Sequence, residues 1–432
     1  MEENHLSLEI LAKLLSGRLE HEELLDKVVP HLLARCPGCR ENHRQLMQMK
    51  DEVGHWDEEV ALHEGREAPQ LLELLGGHPY EEQLRLAEED EDLHAWGLCQ
   101  LLLRKSRATI FDDPSLGVDY ATLAVQISGH LGAVYDHHWV LDLRARAFAY
   151  LGNARRVLGE LRSAEDAFFK AARLQRQSLT GNTLVEAELL DLKSSLRRGQ
   201  RRLPEALDLI DRALTLYREN RCRRGVGAAS LTKGKILEES GEQERAIEVL
   251  REGLPEIDDA GDPRLPAYAR CNLLHCLIRA ERYAEAEQLL PEVRARFAEL
   301  ARPLDQVRLR WVEGNLDAGL GRAELAEAAF HEVQGEFVER RMGYDAALVS
   351  LDLAALYAQA GRTEDLKRLA GGLMPIFESR EVHREALVAL LMFQHACEEE
   401  RLTAQLARHL AAFLRRERSG ATQTRTNYAV QR

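Results

Sequence analysis

The sequence predicts an all-α chain made mainly of repeated helical hairpins, and three spacings found together support that prediction. A small residue recurs at Ala124, Ala164, Ala206, Ala246, Ala286 and Ala326 and gives way to Leu366 and Leu406, in steps of 40, 42, 40, 40, 40, 40 and 40 residues. A large apolar residue stands four places after most of them, at Phe168, Ile210, Leu250, Leu290, Phe330 and Leu410, so each pair shares one helical face. Five places before four of them, Gly159, Gly241, Gly321 and Gly361 mark a turn, where a residue without Cβ ends a helix at little cost. A composition of 45% hydrophobic and 30% charged residues with only 12 prolines suits an ordered helical protein of 432 residues.

The first element, residues 1–50, reads as a small helical head. "SLEILAKLLSGRLEHEELLDKVVPHLLARCPGC" holds two short amphipathic helices divided near Ser16 and Gly17, the second ending at a cysteine pair. His5, His31, Cys36 and Cys39 are similar in order and spacing to the zinc-binding anti-sigma domain of bacteria. That family has an early His or Cys and, about 25 residues on, His-x3-Cys-x2-Cys. Two imidazoles and two thiolates form a tetrahedral set that Zn accepts as a closed, structural site. The present spacing is His-x4-Cys, which turns Cys36 away from His31 on a continuous helix. The helix must therefore loosen before Cys36, and Pro37 and Gly38 permit this; His43 is a substitute for His5. A structural cysteine pair and a redox dithiol are the alternatives. A fold of some 45 residues has little core, so a metal would supply the missing stability. The resemblance implies a sigma factor or another regulator as the head's partner.

Residues 51–92 form an acidic hinge with short helices. "DEVGHWDEEVALHEGRE" and "EEQLRLAEEDEDL" concentrate carboxylates around the breaker cluster "GGHP" at 76–79.

Residues 93–416 carry the repeats, about eight hairpins with helices of 16 to 18 residues, roughly 25 Å each at 1.5 Å per residue. "FAYLGNARRVLGELRSAEDAFFKA" places Phe148, Leu151, Gly152, Ala164 and Phe168 in the order of the tetratricopeptide pattern. The chain resembles the long, 40-residue form of that family over about three quarters of its length. Arg155, Arg197, Leu237, Leu277 and Asp317 depart from the family's usual Tyr, and Tyr357 keeps it. The resemblance implies a right-handed α-α superhelix, a solenoid whose first helices line a concave wall offered to partners. It assigns to that wall the residue after each small Gly152, Ser194, Gly234, Leu274 and Gly314, namely Asn153, Ser195, Lys235, His275 and Asn315, with Arg146 and Arg156 beside Asn153. An amide there can bond a peptide backbone because it donates and accepts at once. The alternative is that these are merely solvated helix positions.

Around that wall Arg197, Arg198, Arg201, Arg202, Arg218, Arg221, Arg223 and Arg224 form a basic sector in a chain of net charge -14. Guanidinium forks favour carboxylates and phosphates, so an acidic peptide or protein partner is expected, unless nearby Glu residues already neutralise the arginines. The overall charge disfavours nucleic acid, and no apolar run reaches the roughly 20 residues of a membrane span. Seven scattered cysteines and an N-terminus without a secretory pattern point to the cytoplasm. No phosphate loop, nucleophile elbow or zinc-protease motif occurs, and His275-Cys276 and His395-x-Cys397 are poor thiol dyads on helices. The reading is a non-enzymatic adaptor in bacterial signalling or transcriptional regulation. A peptide-sensing regulator and a thiol enzyme or protease component are the rivals. The tail, 417–432, has no periodicity and is expected to be disordered.

Overall fold

The computed structural model describes residues 67–133, 135–257, 264–300, 302–340, 342–377, 393–399 and 402–421. The proposed zinc ligands His5, His31, Cys36 and Cys39, their substitute His43, and the tail beyond 421 lie outside them. Every regular element among the described residues is helical. The described residues fall into two compact units, divided between Leu196 and Arg197.

In the first unit a helical stretch over 67–76 leads to α1 (Tyr80–Glu89), α2 (Trp96–Thr109), α3 (Pro114–His130), α4 (His137–Leu158), α5 (Leu161–Gln177) and most of α6 (Thr183–Gly199). Local chemistry sets the starts. The Asp113 carboxylate accepts from the Leu116 amide at 3.0 Å, with Pro114 opening α3, and Asp136 caps α4 by accepting from His138 N at 2.9 Å. Such caps satisfy donors that have no partner inside the helix. α2 packs on α3, α3 on α4, α4 on α5, and α1 lies against α3. Leu98, Leu102, Leu123, Ile127 and Leu131 form one core cluster, and Ala145, Ala149, Ala164, Phe168 and Leu196 form another.

The second unit continues with α7 (Leu203–Glu219), α8 (Arg223–Glu239), α9 (Gln243–Gly253), α10 (Arg264–Arg279), α11 (Tyr283–Leu300), α12 (Pro303–Gly319), α13 (Ala323–Glu339), α14 (Gly343–Gln359), α15 (Thr363–Phe377) and α16 (Ala404–Ala421). Consecutive helices pack on one another from α7 to α15, and α14 also packs on α16. First helices of successive hairpins touch as well, α8 with α10, α10 with α12 and α12 with α14.

The predicted recurrence has a direct packing meaning. Ala206, Ala246, Ala286 and Ala326 are fully buried, and Ile210, Leu250, Leu290 and Phe330, one turn later, are at most 9% exposed. Facing them, Gly234 and Gly314 sit so close that an added Cβ would lie 2.7 Å from Leu250 and 2.8 Å from Phe330. The large side chain of the second helix thus occupies the place of a missing side chain on the first.

The turns share one geometry. In the turn after α8, Glu242 N donates to Leu237 O at 2.9 Å and Gly241 N to Glu238 O at 3.0 Å, the paired bonds that close a helix through a left-handed residue. The same bonds recur after α4, α6, α10, α12 and α14. Gly159, Gly241, Gly321 and Gly361 have φ between 67° and 95°, as the sequence pattern suggests, but Arg201 at 60° and Glu281 at 59° hold the same conformation without being glycine. No described helix is long and apolar enough to cross a membrane.

Candidate functional site

Each first helix buries one stripe against its hairpin partner and leaves the residue after the packed small position on a different face. In the first unit this position is Asn153 on α4 and Ser195 on α6. Asn153 is only 9% exposed, and its Oδ1 accepts from Arg156 Nε at 3.0 Å and Nη2 at 2.8 Å. The acceptor side of the amide therefore serves its own helix, and its donor side is what a ligand could use. Ser195 is half-buried beside Ser194, whose hydroxyl donates to Asp191 O at 2.8 Å.

Arg146 is also engaged. Its Nε donates to Glu188 Oε2 at 2.7 Å, and the Tyr150 hydroxyl donates to Glu188 Oε1 at 2.6 Å. Burial would raise the Glu188 carboxyl, but the charge and hydrogen bond of Arg146, with the Tyr150 hydroxyl, outweigh it and hold the group below its usual value. The charge of Glu188 correspondingly raises Arg146. An incoming carboxylate would have to displace Glu188, so Arg146 is a fixed part of the wall rather than a vacant receiver.

In the second unit the equivalent positions are Lys235 on α8, His275 on α10 and Asn315 on α12, all half-buried and polar. Asn315 Nδ2 donates back to Trp311 O at 2.9 Å, and Trp311 Nε1 donates to Asp352 Oδ2 on α14 at 2.8 Å. His275 Nε2 stands 3.3 Å from Glu238 Oε1 on α8. Lys235 differs from both: no hydrogen bond or ion pair to a described residue reaches its ammonium. Burial lowers its pKa, the charge of Arg198 lowers it further, and Glu238, Glu239 and Cys271 oppose that shift without cancelling it.

The arginine sector is largely neutralised within the protein. Arg198 and Arg201 meet Glu239 at 3.1 and 2.7 Å, Arg197 and Arg202 meet Glu205 at 3.4 and 2.5 Å, and Arg223 meets Glu256 at 2.9 Å. Of the two readings the sequence left open for this sector, the pairs agree with the one in which nearby Glu residues neutralise the arginines, and several of these guanidinium groups tie helices together. One repeating signal was missed. Arg202, Arg282, Arg322 and Arg362 each follow the left-handed turn residue. Arg282 reaches Glu244 at 2.9 Å, and Arg322 and Arg362 reach Glu287 and Glu327, each at 2.5 Å. The spacing of 40 between Arg282, Arg322 and Arg362 was visible in the sequence as a structural ladder.

Thiol chemistry finds little support. Cys276 and Cys397 are 1% exposed, and burial pushes their thiols up to about 12 and about 11. Cys99 and Cys271 are likewise pushed up to about 12. A thiolate nucleophile needs the opposite shift. No group of three or more His, Cys, Asp or Glu suited to a metal occurs among the described residues.

No protein-family model matches the chain, and no curated protein matches it. Solved structures do. A signal-transduction ATPase of the STAND class with a tetratricopeptide-repeat sensor, from Pyrococcus horikoshii, superposes with a TM-score of 0.54 at 12% identity, covering 83% of this chain and 52% of that one. This chain thus spans about half the length of that protein. Aspartyl phosphate phosphatase F from Bacillus subtilis superposes with a TM-score of 0.51 at 12% identity, covering 88% of this chain and 96% of that one. At such identity the likeness establishes the fold, an all-α helical repeat of tetratricopeptide-like type, and the activities in those names belong to those proteins.

Proposed function

We propose that the chain is a non-enzymatic adaptor that recognises a peptide or protein partner on the first-helix faces of its hairpins. The observation that supports this best is the row Lys235, His275 and Asn315. Three successive first helices present, at one register, polar side chains of three different kinds, while the packing positions beside them, Gly234, Leu274 and Gly314, are all buried and without polar side chains. Core demands keep a position apolar; a position released from them can be spent on recognition. The buried, protonated thiols argue against the rival thiol enzyme. The description of the Pyrococcus horikoshii region as a sensor agrees with a recognition role, and a peptide-sensing regulator is the nearest variant of the same reading.

The finer parts rest on the sequence motifs. An acidic partner fits Lys235, the cation of the row with which no described acid forms an ion pair. A zinc-holding head of His5, His31, Cys36 and Cys39 that meets a sigma factor or similar regulator, and a place in bacterial signalling in the cytoplasm, follow from the resemblance of residues 1–50.

Selection from a phage-displayed random nonapeptide library on the immobilised full chain tests the central claim. The expected result is enrichment of a sequence class that the triple variant Lys235→Ala/His275→Ala/Asn315→Ala no longer retains. Equal enrichment on both proteins, or none above a folded non-repeat control, would overturn it.

A further inference from the structure

We propose that Lys235, with Arg198 and Asn272, forms a receptor for a single carboxylate of the bound partner, so that the adaptor selects a ligand carrying an acidic group opposite the C-terminal part of α8. This rests on the reading of the first-helix face as a ligand surface and names the chemistry of one subsite on it.

Three unfilled donors lead to it. Among the described residues no hydrogen bond or ion pair reaches the Lys235 ammonium. Arg198 Nε is buried and makes no hydrogen bond, although the same guanidinium reaches Glu239 through Nη1 at 3.1 Å. Asn272 Nδ2 is also buried without a partner. A buried donor left unsatisfied is destabilising, so two of them, Arg198 Nε and Asn272 Nδ2, beside a half-buried ammonium are not retained for stability alone.

The helix register brings them together. Alternate helices of the array run in the same direction, and the His275–Glu238 contact at 3.3 Å fixes how α10 lies beside α8. The offset between these two residues is 37 positions, and the offset between Asn272 and Lys235 is also 37. Asn272 therefore stands across from Lys235, one turn before the measured pair. From the other side Arg198 contacts Glu239, one turn beyond Lys235 on the same stripe of α8.

Charge accounting identifies the ligand. Glu239 is taken up by two arginines, Arg198 and Arg201, and Glu238 by His275, and neither forms an ion pair with Lys235. One positive charge outside any ion pair, a guanidinium N–H and an amide N–H suit one carboxylate, which accepts through two oxygens. A phosphate dianion would exceed the available charge. Binding would also bring a carboxylate against an ammonium whose charge burial and Arg198 disfavour, so ligand and proton should bind together. The groups facing Lys235 that share in this are Arg198 from α6, Glu238 and Glu239 on α8, and Cys271 from α10.

The test uses the full chain with its nine lysines carbon-13 dimethylated, which keeps their charge. The Lys235 resonance is assigned by its loss in Lys235→Arg. The probes are acetyl-Ala-Glu-Ala-amide, acetyl-Ala-Ala-Ala with a free terminal carboxylate, inorganic phosphate and sodium chloride. A saturable shift of Lys235 with one of the two peptides, at least tenfold tighter than with phosphate, is expected; whichever peptide gives it identifies a side-chain or chain-terminal source. Asn272→Asp, which supplies an internal carboxylate opposite Lys235, should weaken that response at least tenfold. Equal responses to chloride, phosphate and peptide, or an unchanged response in Asn272→Asp, would overturn the subsite. If library peptides bind and Asn272→Asp leaves their affinity unchanged, the subsite fails while the adaptor reading stands. A library that yields no binder removes the adaptor reading itself.

Discussion

Glycine should be worth installing at Glu281 and costly to remove at Gly241, because both residues hold one backbone conformation with different side chains. Glu281 has φ 59° and Gly241 has φ 84°. Each sits between the same two hydrogen bonds: Glu281 N to Ile278 O at 3.1 Å and Arg282 N to Leu277 O at 2.9 Å in one turn, Gly241 N to Glu238 O and Glu242 N to Leu237 O in the other. The left-handed region costs an ordinary residue about 1–2 kcal/mol, from Cβ crowding against the following carbonyl. A Cβ built at Gly241 meets nothing within 4 Å, so Gly241→Ala isolates this torsional cost without a packing change. It should destabilise by about 1 kcal/mol. Glu281→Gly removes the crowding but raises the entropy of the unfolded chain by about 0.5–1 kcal/mol, leaving a net gain of about 0.5–1 kcal/mol. Urea unfolding followed by far-ultraviolet circular dichroism reads both changes at unaltered slope, and the double variant should return to within about 0.5 kcal/mol of wild type, since the sites lie in separate turns. A Glu281→Gly protein less stable than wild type, or a neutral Gly241→Ala, would refute the shared-turn argument.

Other outcomes follow from the sites described. Glu188 has its folded-state carboxyl lowered below the ordinary glutamate value of 4.5, so its contribution is complete above that value and is lost as pH falls through the folded one. The side chains of Arg146 and Glu188 are 30% and 22% exposed, between buried and surface pairs. Glu188→Gln should therefore cost about 2 kcal/mol at pH 7 and flatten the acid limb of a stability-versus-pH curve, and a curve parallel to wild type would contradict the assignment. Iodoacetamide at pH 7 should label Cys276 and Cys397 in the native chain more slowly than glutathione and at an ordinary rate in urea; fast native labelling would revive the thiol-enzyme rival. Atomic emission on the purified chain should find about one zinc per molecule, bound by the set proposed for residues 1–50, and none in Cys36→Ser/Cys39→Ser; metal-free wild type loaded with excess zinc and still empty would end that proposal.

The repeat was readable in the sequence because packing imposes period and size together. Ala246 is small and Leu250 fills the space that Gly234 leaves, and Gly314, Ala326 and Phe330 repeat that set two hairpins on, with the Ala and the large residue kept at 40-residue steps. The turns were half readable: glycine marks four of them, but Arg201 and Glu281 are held left-handed by the hydrogen bonds around them, and no residue type advertises that. Site chemistry was harder to read, because a charged residue looks the same in a sequence whether its partner is a ligand or a helix 40 residues away. Arg146 and Arg202, read from the sequence as candidates for an acidic ligand, are paired with Glu188 and Glu205 within the chain. Lys235 was in the same expectation and is the member with which no described acid forms an ion pair.

That contrast explains where recognition can reside in an array of near-identical hairpins. Positions that join hairpins are constrained by both neighbours, so Arg282, Arg322 and Arg362 recur with acids placed to meet them. The position after the packed small residue has no such obligation. It is Lys235, His275 and Asn315 in three successive first helices, a cation, a titratable ring and an amide. Of these, His275 and Asn315 are joined to neighbouring groups within the array, which leaves Lys235 as the place where binding a charged group would gain most. A change at Lys235 should therefore alter what binds more than how stably the chain folds. Lys235→Met is the sharpest version: it removes a poorly solvated charge, so stability should hold or rise by up to about 1 kcal/mol. Binding of any acidic peptide selected on the wild type should fall at least tenfold in the same protein. A variant that loses stability and binding in equal measure would instead make Lys235 part of the scaffold.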